Sequence, residues 1–127
     1  MLINQAQYEL TIWIWLGIAA CTFILLMFIR APYGRHERPG WGLRIPARLG
    51  WVIMESPCII VMTIFFGIGV SRWEAIDPVG ITFYIIWITH YIHRSWVWPA
   101  RAHITSKKMP ISIALFAVGF NSINAWI

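Results

Sequence analysis

The sequence predicts an all-α, multi-pass transmembrane helical bundle, with four helices in this chain. Three observations predict it. Of 127 residues, 59% are hydrophobic and only 12% charged, where a soluble domain carries about a quarter charged. Four apolar stretches follow one another, approximately 10–29, 49–71, 79–98 and 110–127, each approaching the roughly 20 residues that cross a hydrocarbon core. Nine of the ten basic residues lie between Arg30 and Arg48 or between Arg94 and Lys108, so both groups fall on one side of the membrane.

The positive-inside rule makes that side the cytoplasm. The N-terminus then faces outward, loops 30–48 and 99–109 are cytoplasmic, and the fourth helix runs back out. This clustering at helix ends explains the net charge of +5 without a nucleic-acid partner; the partner it implies is the lipid bilayer. Trp13, Trp15, Trp73 and Trp126 fall at outer ends and Trp51, Trp96 and Trp98 at inner ends, as aromatic belts do. Trp87, in mid-span, is the exception.

The first helix, 10–29, has no charged residue. Ile18-Ala19-Ala20-Cys21 resembles a lipoprotein cleavage site, but no basic residue precedes it and the apolar run continues past the cysteine, unlike a signal peptide. Ala31-Pro32-Tyr33-Gly34 is a turn signal that opens the first loop. That loop is rich in Arg, Gly and Pro. It reads first as a surface attracted to anionic headgroups, and second as a source of arginines for an anionic cofactor.

The second helix carries Glu55, the only acid between Leu49 and Ser71. A carboxylate at membrane depth costs several kcal/mol unless protonated, paired or wetted, so its default reading is a functional site. The alternative is a structural carboxyl bonded to a neighbouring helix or to backbone freed by Pro57, which removes one helical donor and is expected to kink the helix or expose a carbonyl near residue 53. Trp51 and Glu55 share one face at i, i+4.

The third helix begins after Asp77-Pro78. Its inner half places Trp87, Tyr91, Arg94 and Trp98 at spacings of four, three and four, a single stripe. Glu55 lies seven residues past Arg48 and Tyr91 seven before Trp98. At 1.5 Å per residue, both sit about 10 Å inside the same boundary. The fourth helix, opened by Pro110, holds Asn121 and Asn124, either interhelical glue or polar groups in a pocket.

These groups suggest one chemistry. Apolar burial favours the protonated form of a carboxyl, so Glu55 can donate a hydrogen bond. Tyr91, if not merely an interfacial anchor, is a second donor. Two donors converging in an apolar hollow can polarise a ketone and stabilise the enolate formed when hydride adds to a conjugated alkene. His90 and Arg94 are one turn apart and can reach towards phosphates. His90 and His93 lack a nearby third ligand and sit beside Arg94, so no metal site is expected.

Six segments together resemble the steroid 5-alpha-reductase (3-oxo-5-alpha-steroid 4-dehydrogenase) family: Tyr33-Gly34-Arg35-His36, Ile45-Pro46-Ala47-Arg48, Trp51-x-x-x-Glu55-Ser-Pro57, His90-Tyr91-x-His93-Arg94, Met109-Pro110 and Phe120-x-x-x-Asn124. The resemblance implies an oxidoreductase that uses NADPH to reduce the C=C bond of a lipid enone, first a 3-oxo-Δ4 steroid. By the same resemblance, Glu55 and Tyr91 are catalytic and grip the carbonyl. Trp51, Trp87, Phe120 and Asn124 line the substrate pocket, and Tyr33, Arg35, His90 and Arg94 contribute to the cofactor site. It points to the endoplasmic reticulum in a eukaryote; the charge pattern fits a bacterial inner membrane equally. Two departures bear on substrate. Met54 stands where many members carry Gln, and Leu115-Phe116-Ala117 is apolar where steroid-selective members can carry Arg.

Family members have about seven spans, so residues 1–127 are expected to be the N-terminal half, supplying the substrate pocket and inactive alone. Two alternatives remain: a non-catalytic four-helix membrane scaffold or partner subunit, and a reductase of polyprenoid or enoyl-type lipids.

Overall fold

The computed structural model describes residues 4–31, 36, 40–72, 77–104 and 106–127. They form two compact units, Met1–Ala31 and Pro32–Ile127.

The first unit is helix α1, Gln5–Phe28. It starts with a capping box: Gln7 N–H donates to Asn4 Oδ1 at 2.8 Å and Asn4 N–H to Gln7 Oε1 at 3.0 Å, satisfying two donors that the helix itself leaves open. The helix therefore begins five residues before the apolar run. Leu10, Trp13, Phe23 and Phe28 are all exposed, and α1 is long and apolar enough to cross a membrane.

The second unit is built around α2, Ala47–Arg72, also long and apolar enough to span. α3, Pro78–Ile92, is capped by Asp77, whose carboxylate accepts from Val79 and Gly80 N–H at 3.1 Å each. It runs into a π-helical segment, His93–Val97, and then α4, Trp98–Arg101, so the third predicted span is one continuous helical run that widens near its end. α5, Ile111–Trp126, is the fourth. All four predicted spans are thus helical; the first three extend beyond the expected bounds at one end or both, and the fourth is one residue shorter at each end.

Two short strands were not expected. β1, Arg44–Pro46, pairs antiparallel with β2, Lys108–Pro110, with Ile45 opposite Met109. Ala47 N–H to Lys107 O at 2.9 Å and Ile111 N–H to Leu43 O at 2.8 Å extend the ladder at both ends. Gly42, at φ 91°, makes the turn just before β1 in a conformation that side chains resist. The ladder ties the starts of α2 and α5 together.

Both α3 and α5 pack on α2. Between lipid-embedded helices burial gains little, because the tails are as apolar as the side chains; close packing and hydrogen bonds must hold the seam. The α2–α5 contact follows that rule. Met54, Met109 and Ala114 form its buried cluster, with Ile45, Trp51, Ile113 and Ala117 against it. A Cβ on Gly50 would collide with the Met109 side chain, so glycine permits this approach. Asn121 Nδ2 donates to Met54 O at 2.6 Å, and Phe65 meets Trp126 edge-on at 6.4 Å.

α2 continues through Pro57. Carbonyls flanking the one that Pro57 frees are drawn into side-chain bonds: Val52 O accepts from Ser56 Oγ at 2.6 Å and Met54 O from Asn121.

Candidate functional site

The α2–α3 seam is a ladder of polar and aromatic pairs between antiparallel helices. From one end, Trp51 meets Trp98 edge-on, ring centroids 4.9 Å apart. Glu55 Oε1 accepts from Arg94 Nε at 2.8 Å. Cys58 O accepts from Trp87 Nε1 at 3.0 Å. Thr63 Oγ1 accepts from Tyr84 OH at 3.1 Å, and Phe66 stacks on Tyr84 at 4.1 Å. The stripe at 87, 91, 94 and 98 is therefore the face that α3 and its continuation turn towards α2.

Glu55 is 4% exposed, whereas the Arg94 side chain is 46% exposed. The pair thus has a buried end and a wetted end. Arg94 also lies over the Trp51 ring, 5.4 Å from its centroid, which adds a cation–π attraction. Its guanidinium has only donors, so Oε1 is an acceptor here and any donation by Glu55 to a ligand falls to Oε2. The sequence placed Arg94 within reach of phosphates; the structure commits its Nε to Glu55.

Tyr91 is half-buried one turn further along. Its ring packs on Trp87 at 4.8 Å and on His90 at 5.1 Å. Its phenol neighbours the Cys58 thiol and lies within electrostatic reach of Glu55 and Arg94. Glu55 is level with Arg94, and Tyr91 is level with Cys58, a small offset from the common depth expected.

The π-helical segment adjusts this register. Trp98 N–H reaches back five residues to His93 O, and π-turns of this kind are frequent at functional sites. Beyond it, Arg48 Nε donates to Pro99 O at 2.8 Å and Nη2 to Ala100 O at 3.3 Å, satisfying carbonyls that end α4. A pocket of about 240 Å³ opens between Trp51, His90, His93, Arg94 and Trp98.

Of the residues expected in the site, Glu55, Tyr91, Trp51, Trp87, His90 and Arg94 lie along this seam. Phe120 and Asn124 do not line its pocket: both are exposed on α5, while Asn121 is the α5 residue that reaches α2. Tyr33 and Arg35 lie outside the described residues. Sequence reasoning missed Cys58, although its spacing from Trp51 and Glu55, i+7 and i+3, puts it on the same face. Among the described residues no three His, Cys, Asp or Glu side chains come together as a metal site.

An apolar helix long enough to cross a membrane, α2, is joined to α3 and its continuation by an ion pair whose Glu55 end is buried and which has a phenol beside it. This fits a membrane protein with a polar site between helices. No protein-family model matches the chain. Along most of its length, however, the chain is homologous to steroid 5-alpha-reductases. It is 34% identical to steroid 5-alpha-reductase DET2 of Arabidopsis thaliana over 84% of this chain and 41% of that protein. It is 30% identical to the protein of the same name from Solanum lycopersicum over 98% of this chain and 48% of that one. Identity to 3-oxo-5-alpha-steroid 4-dehydrogenase 1 of Bos taurus is 27%, over 87% and 43%. The chain spans about half the length of the curated relatives it matches.

Proposed function

We propose that the protein takes part in NADPH-dependent reduction of the C=C bond of a lipid enone, first a 3-oxo-Δ4 steroid, and that this chain supplies the substrate-pocket half. The observation that carries the reading is the nearly buried Glu55 carboxyl, held by Arg94 one turn from the Tyr91 phenol in the α2–α3 seam. The relatives' names supply the reaction class.

In this reading the Glu55 carboxylate pairs with Arg94 in the unliganded protein. A bound ketone oxygen is gripped by Tyr91 O–H and by the protonated form of Glu55 through Oε2–H, while Arg94 fixes Oε1 and so the orientation of the carboxyl. Charge that develops on the oxygen is met by donors already in place, where low dielectric makes them most effective. Trp51 and Trp87 wall the buried, Glu55 side of the site. His90, His93 and Arg94 border the adjoining pocket and would hold the charged part of NADPH. At about 240 Å³ that pocket is smaller than the roughly 300–1,000 Å³ of a ligand site, so these residues fit one portion of the cofactor. When bound, the cofactor supplies hydride to the β-carbon.

Met54 is packed into the α2–α5 cluster and Leu115 and Phe116 are exposed, so neither departure from the family pattern adds a polar group to the seam. That favours a substrate with a single polar end. The basic clusters support an N-terminus outside and loops 30–48 and 99–109 in the cytoplasm.

The test is turnover by the complete protein in membranes, with NADPH and a panel of 3-oxo-Δ4 steroids, polyprenoid enones and enoyl lipids. Saturation of the steroid enone is expected. Absence of turnover on every enone would leave the scaffold reading in its place.

A further inference from the structure

A second pocket, also about 240 Å³, lies on the other side of the Trp51–Trp98 pair. Its walls are Trp51, Trp98, Ile104 and Met109, and Lys107 and Lys108 stand at it. We propose that it binds an anionic phospholipid, with the phosphate at the two lysines and the upper acyl chain against the apolar wall.

The frame around the lysines is fixed. Lys107 O accepts from Ala47 N–H at 2.9 Å, and Lys107 N–H donates to Ile104 O at 3.0 Å. Lys108 is paired with Pro46 in the β1–β2 ladder. Arg48 anchors the carbonyls of Pro99 and Ala100 nearby. Two ammonium groups are thereby carried on a braced turn instead of a free loop, which lowers the ordering cost of binding.

Charge selects the ligand. Segments 40–54 and 98–127, which build the pocket, contain Arg44, Arg48, Arg101, Lys107 and Lys108 but no Asp or Glu. Among the described residues of this unit the acids are Glu55, engaged by Arg94, and Asp77, which caps α3. The N-termini of α2 and α5 also point to this end, and their dipoles add positive potential.

Position and wall select a lipid over a soluble phosphate. The pocket sits where α2 and α5 begin their apolar runs, the level at which headgroups meet hydrocarbon. Four apolar side chains, two of them tryptophans, suit an acyl chain beneath a phosphate and offer a free ion nothing.

The experiment is native mass spectrometry of the complete protein released from bilayers containing equal phosphatidylglycerol and phosphatidylcholine of matched chains. Wild type is expected to retain phosphatidylglycerol preferentially. A basic residue near an anionic surface contributes about fivefold in affinity, so Lys107→Gln/Lys108→Gln should lower retention by roughly tenfold or more. Lys107→Arg/Lys108→Arg should keep it, and Arg101→Gln should change it by less than the lysine pair does. Equal retention of the two lipids would overturn the proposal. So would an unchanged Lys107→Gln/Lys108→Gln variant, or a loss in Arg101→Gln as large as in that variant. Displacement by inorganic phosphate or adenosine 2′,5′-bisphosphate, with no dependence on acyl chain, would also overturn it, assigning the lysines to a soluble phosphate.

Discussion

Replacing Arg94 with Met should destabilise the protein more than replacing Glu55 with Gln, and the asymmetry follows from burial. Arg94→Met keeps the packing stem but leaves a carboxyl that is 95% covered without its charged donor, since the Glu55 side chain is 5% exposed. Breaking a buried pair from one side costs about 3–5 kcal/mol, and a lone charge at membrane depth about 2.5–3.5 kcal/mol on insertion scales. Arg94 is 46% exposed, so water already shares the pair and the lower end applies. We expect about 2–3 kcal/mol. Glu55→Gln removes the charge but keeps an oxygen that can accept from Nε, and the half-exposed guanidinium retains water; about 1 kcal/mol is expected. The double variant should then cost clearly less than the sum of the two, because no buried charge is stranded. Reversible unfolding in mixed micelles, followed by helical circular dichroism, measures all three. Equal single costs with strict additivity would refute the pairing that organises the seam.

Other expectations concern the α2–α5 contact. Gly50→Ala places a Cβ into the buried Met109 side chain and should cost about 1–3 kcal/mol by overpacking; in thermal unfolding, Met109→Ala in the same chain should recover part of that loss. Asn121→Ala removes the 2.6 Å bond to Met54 O and should cost about 0.6 kcal/mol, the average for hydrogen bonds between membrane helices, and no more than about 1.7 kcal/mol. Asn124→Ala, at an exposed position, should leave the unfolding midpoint nearly unchanged.

Helix placement was legible because lipid imposes a length and an apolar composition that few other contexts share. The stripe at Trp87, Tyr91, Arg94 and Trp98 was legible from helical spacing, and each member does turn to the α2 seam. Arg94's partner was not. An arginine near a helix end has a sufficient explanation in snorkelling, and only the register between α2 and α3 brings it level with Glu55. That register depends partly on the π-helical segment, which no residue pattern in His93–Val97 announces. The β1–β2 ladder escaped notice because three residues are too few to show alternation and both strands contain proline. Asn121 and Asn124 could not be ranked from sequence, since one turn of phase decides which faces α2.

The central claim is that Glu55 and Tyr91 grip one carbonyl oxygen. Its most direct test is the kinetics of enone reduction by the complete protein with saturating NADPH, for Tyr91→Phe and Glu55→Leu, each of which removes a donor, against wild type in the same membranes. The account predicts that each substitution lowers kcat/KM by about 10²–10³, as losing one donor to a developing oxyanion does. Full activity in both variants would contradict it.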